Sequence, residues 1–138
     1  MSTVAASPVC EALAEFVNTA TVDQPVQLTV GTDWGRMSKY CTRAADQPKL
    51  TQLCDQLLSR IARAFVHPAI EESLACAPNL REYSLGDGNI VSRAEVILRS
   101  LEVAGAREGI RVEFHYLIGL HEEMEGQWLT IRAIELED

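Results

Sequence analysis

The chain has no Cys-x-x-Cys pair, no His-Glu-x-x-His, no Gly-x-Gly-x-x-Gly or Walker loop, and no Gly-x-Ser-x-Gly elbow. Each absence removes a local signature: a thiolate metal or redox site, a helical zinc site, a phosphate cradle and a serine nucleophile. Basic residues are the minority, 12 Lys and Arg against 20 Asp and Glu, for a formal net charge of -8. That balance disfavours nucleic acid, because binding a phosphate backbone needs clustered cations. No apolar run approaches the roughly 18 residues that span a bilayer. The start, Met-Ser-Thr-Val-Ala-Ala-Ser-Pro-Val-Cys, has neither a basic n-region nor a long apolar stretch. No secretory signal and no membrane partner are therefore expected. No repeat, linker or low-complexity segment divides the chain.

What is present suits one globular domain over residues 1–138, with 47% hydrophobic and 23% charged residues. Residues 32–65 hold six basic and three acidic groups, whereas residues 66–138 hold six basic and fourteen acidic ones. The acidity thus belongs to the C-terminal half. Cys10, Cys41, Cys54 and Cys76 lie far apart, which without a secretory context predicts reduced thiols in a cytoplasmic protein. Their even number keeps disulfides open without selecting a pairing.

Pro8–Asn18 reads as a helix, with Ser7 as N-cap, Pro8 at the first helical position and Val9, Leu13, Phe16 and Val17 as its apolar stripe. Cys10 falls in the first turn, where the helix dipole lowers a thiol pKa; a small buried hydrophobe is the plainer reading. Pro25–Val30 alternates as a short strand that Gly31 ends. Asp33 is read as the cap of a helix whose face holds Trp34, Met37, Tyr40, Cys41 and Ala44, which makes those aromatics core residues. Lys49–Phe65 is the strongest helix, with Leu50, Leu53, Cys54, Leu57, Leu58, Ile61, Ala62 and Phe65 on one stripe. Asp46 and Pro48 start it, and His67-Pro68 stops it. A shorter helix follows at Ala69–Cys76, then a strand at Leu80–Leu85 and a turn at Gly86-Asp87-Gly88. Ser92-Arg93-Ala94-Glu95 fits a capping box, and Ala94, Ile97, Leu98 and Leu101 share a helical face before Gly105, so a helix is predicted there. The competing reading makes Asn89–Val103 a strand paired back across the turn.

The last stretch, Gly109–Leu136, reads as a β-hairpin of two alternating runs. With His121–Met124 as its loop, Val112 faces Ala133, Phe114 faces Ile131 and Tyr116 faces Leu129 on an apolar side. The other side pairs Glu113 with Arg132, His115 with Thr130 and Leu117 with Trp128. The expected fold is therefore α+β, with N-terminal helices packed on one face of an antiparallel sheet that ends in this long C-terminal hairpin.

Chemistry is sparse. His121-Glu122-Glu123-Met124-Glu125 is the densest run of potential ligands, but its spacing suits a solvated loop better than a metal site, and no cofactor is implied. The second hairpin face, with Arg111, Glu113, His115, Trp128 and Arg132, mixes Trp, Arg and His as interface anchors do. Together with the His121, Glu122, Glu123 and Glu125 loop it points to a non-enzymatic protein-interaction domain, such as an adaptor, chaperone-like factor, immunity protein or inhibitor. Its partner would be a protein with a basic surface, and self-association stays open. The alternative is a small enzyme or ligand-binding protein with a pocket between helices and sheet, using His115 with Glu113 and a cysteine.

Overall fold

The computed structural model describes residues 8–43, 48–61, 65–78, 80–84, 93–119 and 125–137. Its elements run α1 (Pro8–Asn18), β1 (Val26–Asp33), β2 (Ser38–Arg43), α2 (Pro48–Leu58), α3 (His67–Ala75), β3 (Arg81–Ser84), β4 (Arg93–Ser100), β5 (Ile110–Gly119) and β6 (Trp128–Glu135). The strands form one antiparallel sheet in the order β2-β1-β6-β5-β4-β3. The first strand thus lies against the last, and the chain crosses from edge strand β2 to edge strand β3 through α2 and α3. The sheet has the α+β architecture expected, with the helices on one face.

The hairpin β5–β6 has the register derived from its alternation: Val112 opposite Ala133, Phe114 opposite Ile131, Tyr116 opposite Leu129 and Leu117 opposite Trp128. A slip of one residue would have turned Phe114 and Ile131 to the wrong side, so burial enforces the pairing. On the helical side Phe114, Leu129 and Ile131 are fully buried against Leu13, Phe16, Val17, Leu53 and Leu57. Helix α1 spans the expected Pro8–Asn18, and its N-cap candidate Ser7 lies outside the described residues. Gln127, 1% exposed, accepts Val66 N–H through its Oε1 (2.9 Å) and donates from Nε2 to Gly119 O (3.0 Å), which ties the chain ahead of α3 to the hairpin.

Four expectations need correction. Strand β1 does not stop at Gly31 but runs to Asp33. The helix expected after Asp33 is a turn followed by β2: Asp33 Oδ1 accepts Arg36 N–H at 3.1 Å, and Met37 takes a left-handed φ of 53° that reverses the chain. Asp33 does act as a local acceptor, but the following residues gain more by pairing with β1 over Leu28–Asp33. Helix α2 ends at Leu58, where Arg60 and Ile61 N–H groups bond back to Leu57 O and Leu58 O and Lys39 Nζ reaches Leu58 O at 2.7 Å. A cation at a helix C-terminus satisfies an orphan carbonyl and its dipole. The helix expected from Ser92 is instead β4, paired with β5 over all eight of its residues from Arg93 to Ser100. Tertiary pairing overrides helix signals that are each weak. Of the expected signals, Asp46, the turn at Gly86-Asp87-Gly88, Ser92 and the His121–Met124 loop lie outside the described residues.

The thiols are not reduced. Cys10 is bonded to Cys76 across 66 residues (Cα–Cα 5.3 Å) and Cys41 to Cys54 across 13 (Cα–Cα 5.9 Å). The first bond staples α1 to the end of α3, the second β2 to α2. Among the described residues no helix is long and apolar enough to cross a membrane.

Candidate protein-interaction surface

Side chains alternate along strands, so the residues that are not packed under the helices share the opposite face of the sheet. Three of its rows lie at the centre of the sheet. The pairing register aligns Arg99, Glu113, Arg132 and Gln27 in the first, Ile97, His115, Thr130 and Thr29 in the second, and Glu95, Leu117, Trp128 and Gly31 in the third. Tyr40 stands opposite Gly31 and continues the third row. Among the described residues no helix covers this face.

Its polar groups are held by cross-strand bonds. Arg99 Nε donates to Glu113 Oε2 at 2.7 Å, His115 Nε2 lies 2.7 Å from Glu95 Oε2, and the Thr29 and Thr130 hydroxyls bond at 2.7 Å. The Trp128 ring meets the His115 ring edge-on, centroids 4.8 Å apart at 79°. Gly31 is small because Tyr40 folds over it: a Cβ there would lie 2.6 Å from the Tyr40 hydroxyl and 2.7 Å from Gln127 O. Partial burial, and next to it the charge of Asp33, push the Tyr40 phenol above its ordinary value. The third row therefore presents Leu117, Trp128 and Tyr40 on a braced backbone.

Arg111, Glu113, His115, Trp128 and Arg132 are brought together on this face, in the register their alternation requires. Their partnerships differ from those expected. Glu113 turns to Arg99 on β4, not to Arg132, and His115 takes Glu95 as its carboxylate, not Glu113. Glu95, Ile97 and Arg99 were missed because a helical reading of β4 scatters them; the alternation of Glu95, Ile97 and Arg99 against Val96, Leu98 and Ser100 was the available signal. Tyr40 was missed likewise, placed in a core stripe although it is 37% exposed. Glu125 is exposed just before β6, its carbonyl accepting Trp34 N–H at 2.8 Å. His121, Glu122 and Glu123 lie outside the described residues.

The charge of this face also differs from that of the chain. Its described side chains include Arg99, Arg111 and Arg132 against Glu95, Glu113 and, by the alternation of β1, Asp33, so the two signs are balanced. The excess of acid lies elsewhere. Among the described residues, His115 lies on the face turned away from the helices, and the four cysteines are in disulfides. A cleft of about 690 Å3 does exist on the helical side, lined by Cys10, Glu11, Glu15, Gln52, Cys76 and Gly105 among others, without His115. Among the described residues no three His, Cys, Asp or Glu side chains converge as metal ligands. Compared with models of protein families, with curated proteins and with solved structures, the chain matches none.

Proposed function

We propose that this chain is a non-enzymatic protein-interaction domain that docks its partner on the open face of the sheet. One observation carries the reading: Leu117, Trp128 and Tyr40 form an apolar and aromatic row on a face that no described element covers. A braced Trp against His115, with arginines elsewhere on the same face, has the composition of interface hot spots, which gather at the centre of a patch and are ringed by polar groups. The bonds Arg99–Glu113 and His115–Glu95 supply such a ring. With both signs of charge on it, this face suits a partner surface that also carries both, in place of the basic surface suggested by the net charge alone. The two disulfides favour an oxidising compartment over the cytoplasm, since glutathione keeps cytosolic thiols reduced.

Trp128→Ala tests this reading. Loss of a hot-spot aromatic typically weakens binding by about thirtyfold or more. Partner capture on the immobilised variant is expected to fall accordingly, while its far-UV circular dichroism stays that of wild type. Capture undiminished by Trp128→Ala would remove this face from consideration.

A further inference from the structure

We infer that the partner seated on the open face is a second copy of this chain, in a two-fold, face-to-face sandwich. This rests on the reading of that face as an interaction surface and names its occupant. The first support is area. With strands about 4.8 Å apart and about 3.3 Å of rise per residue, six strands of four to ten residues present about 700 Å2. Side-chain relief raises that toward the roughly 800 Å2 per partner of a stable interface.

The second support is that the face is complementary to itself. A two-fold axis lying in the interface, along the middle row through His115 and Thr130, exchanges the rows on either side. It sets the first row of one copy over the third row of the other. By register, position 99 then lies over position 95 of the other copy, position 113 over position 117 and position 132 over position 128, so that the stem of Glu113 covers Leu117. Arg99 meets the other copy's Glu95, and Arg132 meets its Trp128, an ion pair and a cation–π contact, each formed twice. The middle row meets itself, His115 on His115, Thr130 on Thr130 and Thr29 on Thr29, imidazole on imidazole and hydroxyl on hydroxyl. Sheets packed face to face interlock their side chains across about 10 Å.

Sedimentation of the oxidised wild-type chain is the primary test, since it needs no substitution. It is expected to report twice the 15.2 kDa chain mass. Arg99→Glu and Glu95→Arg each place like charges face to face twice and are each expected to weaken the dimer more than about tenfold. Mixed in equal amounts they restore both ion pairs, so the mixture is expected to sediment as a dimer when neither variant alone does. A wild-type chain that stays monomeric at about 100 μM, well above the micromolar range of modest affinities, overturns the inference. So does a dimer indifferent to both charge reversals and to Trp128→Ala. A monomer that still captures another protein, or a nucleic acid, through Trp128 sinks the second copy alone and leaves the docking face standing. Loss of both self-association and Trp128-dependent capture sinks both.

Discussion

At the scale of single residues, the decisive positions are those where one atom more or less has nowhere to go. Gly126 leads into β6 so close to β1 that a Cβ would fall 1.8 Å from Thr32 O. Backbone cannot yield as a flexible side chain can, and the same contact holds the bonds Thr32 N to Gln127 O and Gln127 N to Thr32 Oγ1. Gly126→Ala is expected to cost at least the 1–3 kcal/mol of ordinary overpacking, about 2 or more, seen as a lowered denaturant midpoint. Phe114 is the opposite case. It is fully buried between β6 and the helices, so Phe114→Ala is expected to cost about 3–5 kcal/mol. Leu101, 62% exposed, is the internal comparison: its alanine variant is expected to stay within about 0.5 kcal/mol of wild type. Equal losses at positions 114 and 101 would contradict the assignment of faces.

At the scale of elements, the two disulfides act on different loops. Cross-linking removes more chain entropy from the unfolded state the longer the loop it closes. Cys10–Cys76 closes 66 residues and Cys41–Cys54 closes 13. Cys10→Ser with Cys76→Ser is therefore expected to lose about 4 kcal/mol, and Cys41→Ser with Cys54→Ser about 3 kcal/mol. Urea unfolding of the two double variants measures the order, and thiol titration of the denatured, unreduced wild type is expected to find no free thiol. These staples connect elements that local signals leave loosely joined. Helix α2 is short, and β2 is an edge strand held on one side only, by β1. Lys39, which reaches from β2 to the last carbonyl of α2, reinforces the same junction as Cys41–Cys54.

At the scale of the whole molecule, one cluster ties the distant parts of the chain. Arg107, in the connection from β4 to β5, bonds to the Glu135 carboxylate at the end of β6, to Ala20 O at 2.6 Å beyond α1, and through its N–H to Asn18 Oδ1 at 2.9 Å. The hydrogen bond from Arg107, and with it the guanidinium charge, holds the Glu135 carboxyl below the ordinary 4.5 despite some desolvation. A pKa lowered on folding means that the unfolded chain binds the proton first. This contribution is thus complete above pH 4.5 and is lost as pH falls through the depressed value of the folded state. Wild type is expected to lose stability over that acidic window, and Arg107→Met to show a flatter dependence there, in melting temperatures recorded from neutral pH downward. Parallel curves for the two proteins would deny Glu135 this role.

What the sequence determined by itself was the part governed by near neighbours. The alternation of Val112, Phe114 and Tyr116 with Leu129, Ile131 and Ala133 specified the hairpin, its register and the sharing of one face by Arg111, Glu113, His115, Trp128 and Arg132. The start and stripe of α1 were legible for the same reason, since a cap, a proline and a 3.6-residue period are local. What only the tertiary structure decided were the states of segments whose local preferences were nearly balanced. Residues from Arg93 to Ser100 carry helix formers and a capping signal, yet lie between β3 and β5 because ladder bonds on both sides outweigh them. With β4 came Glu95, Ile97 and Arg99, and hence the partners of His115 and Glu113. Residues from Ser38 to Arg43 paired with β1 in the same way, bringing Tyr40 to the open face and Cys41 to Cys54. Disulfide partners are a matter of distance in space, which the spacing of cysteines along a chain does not encode.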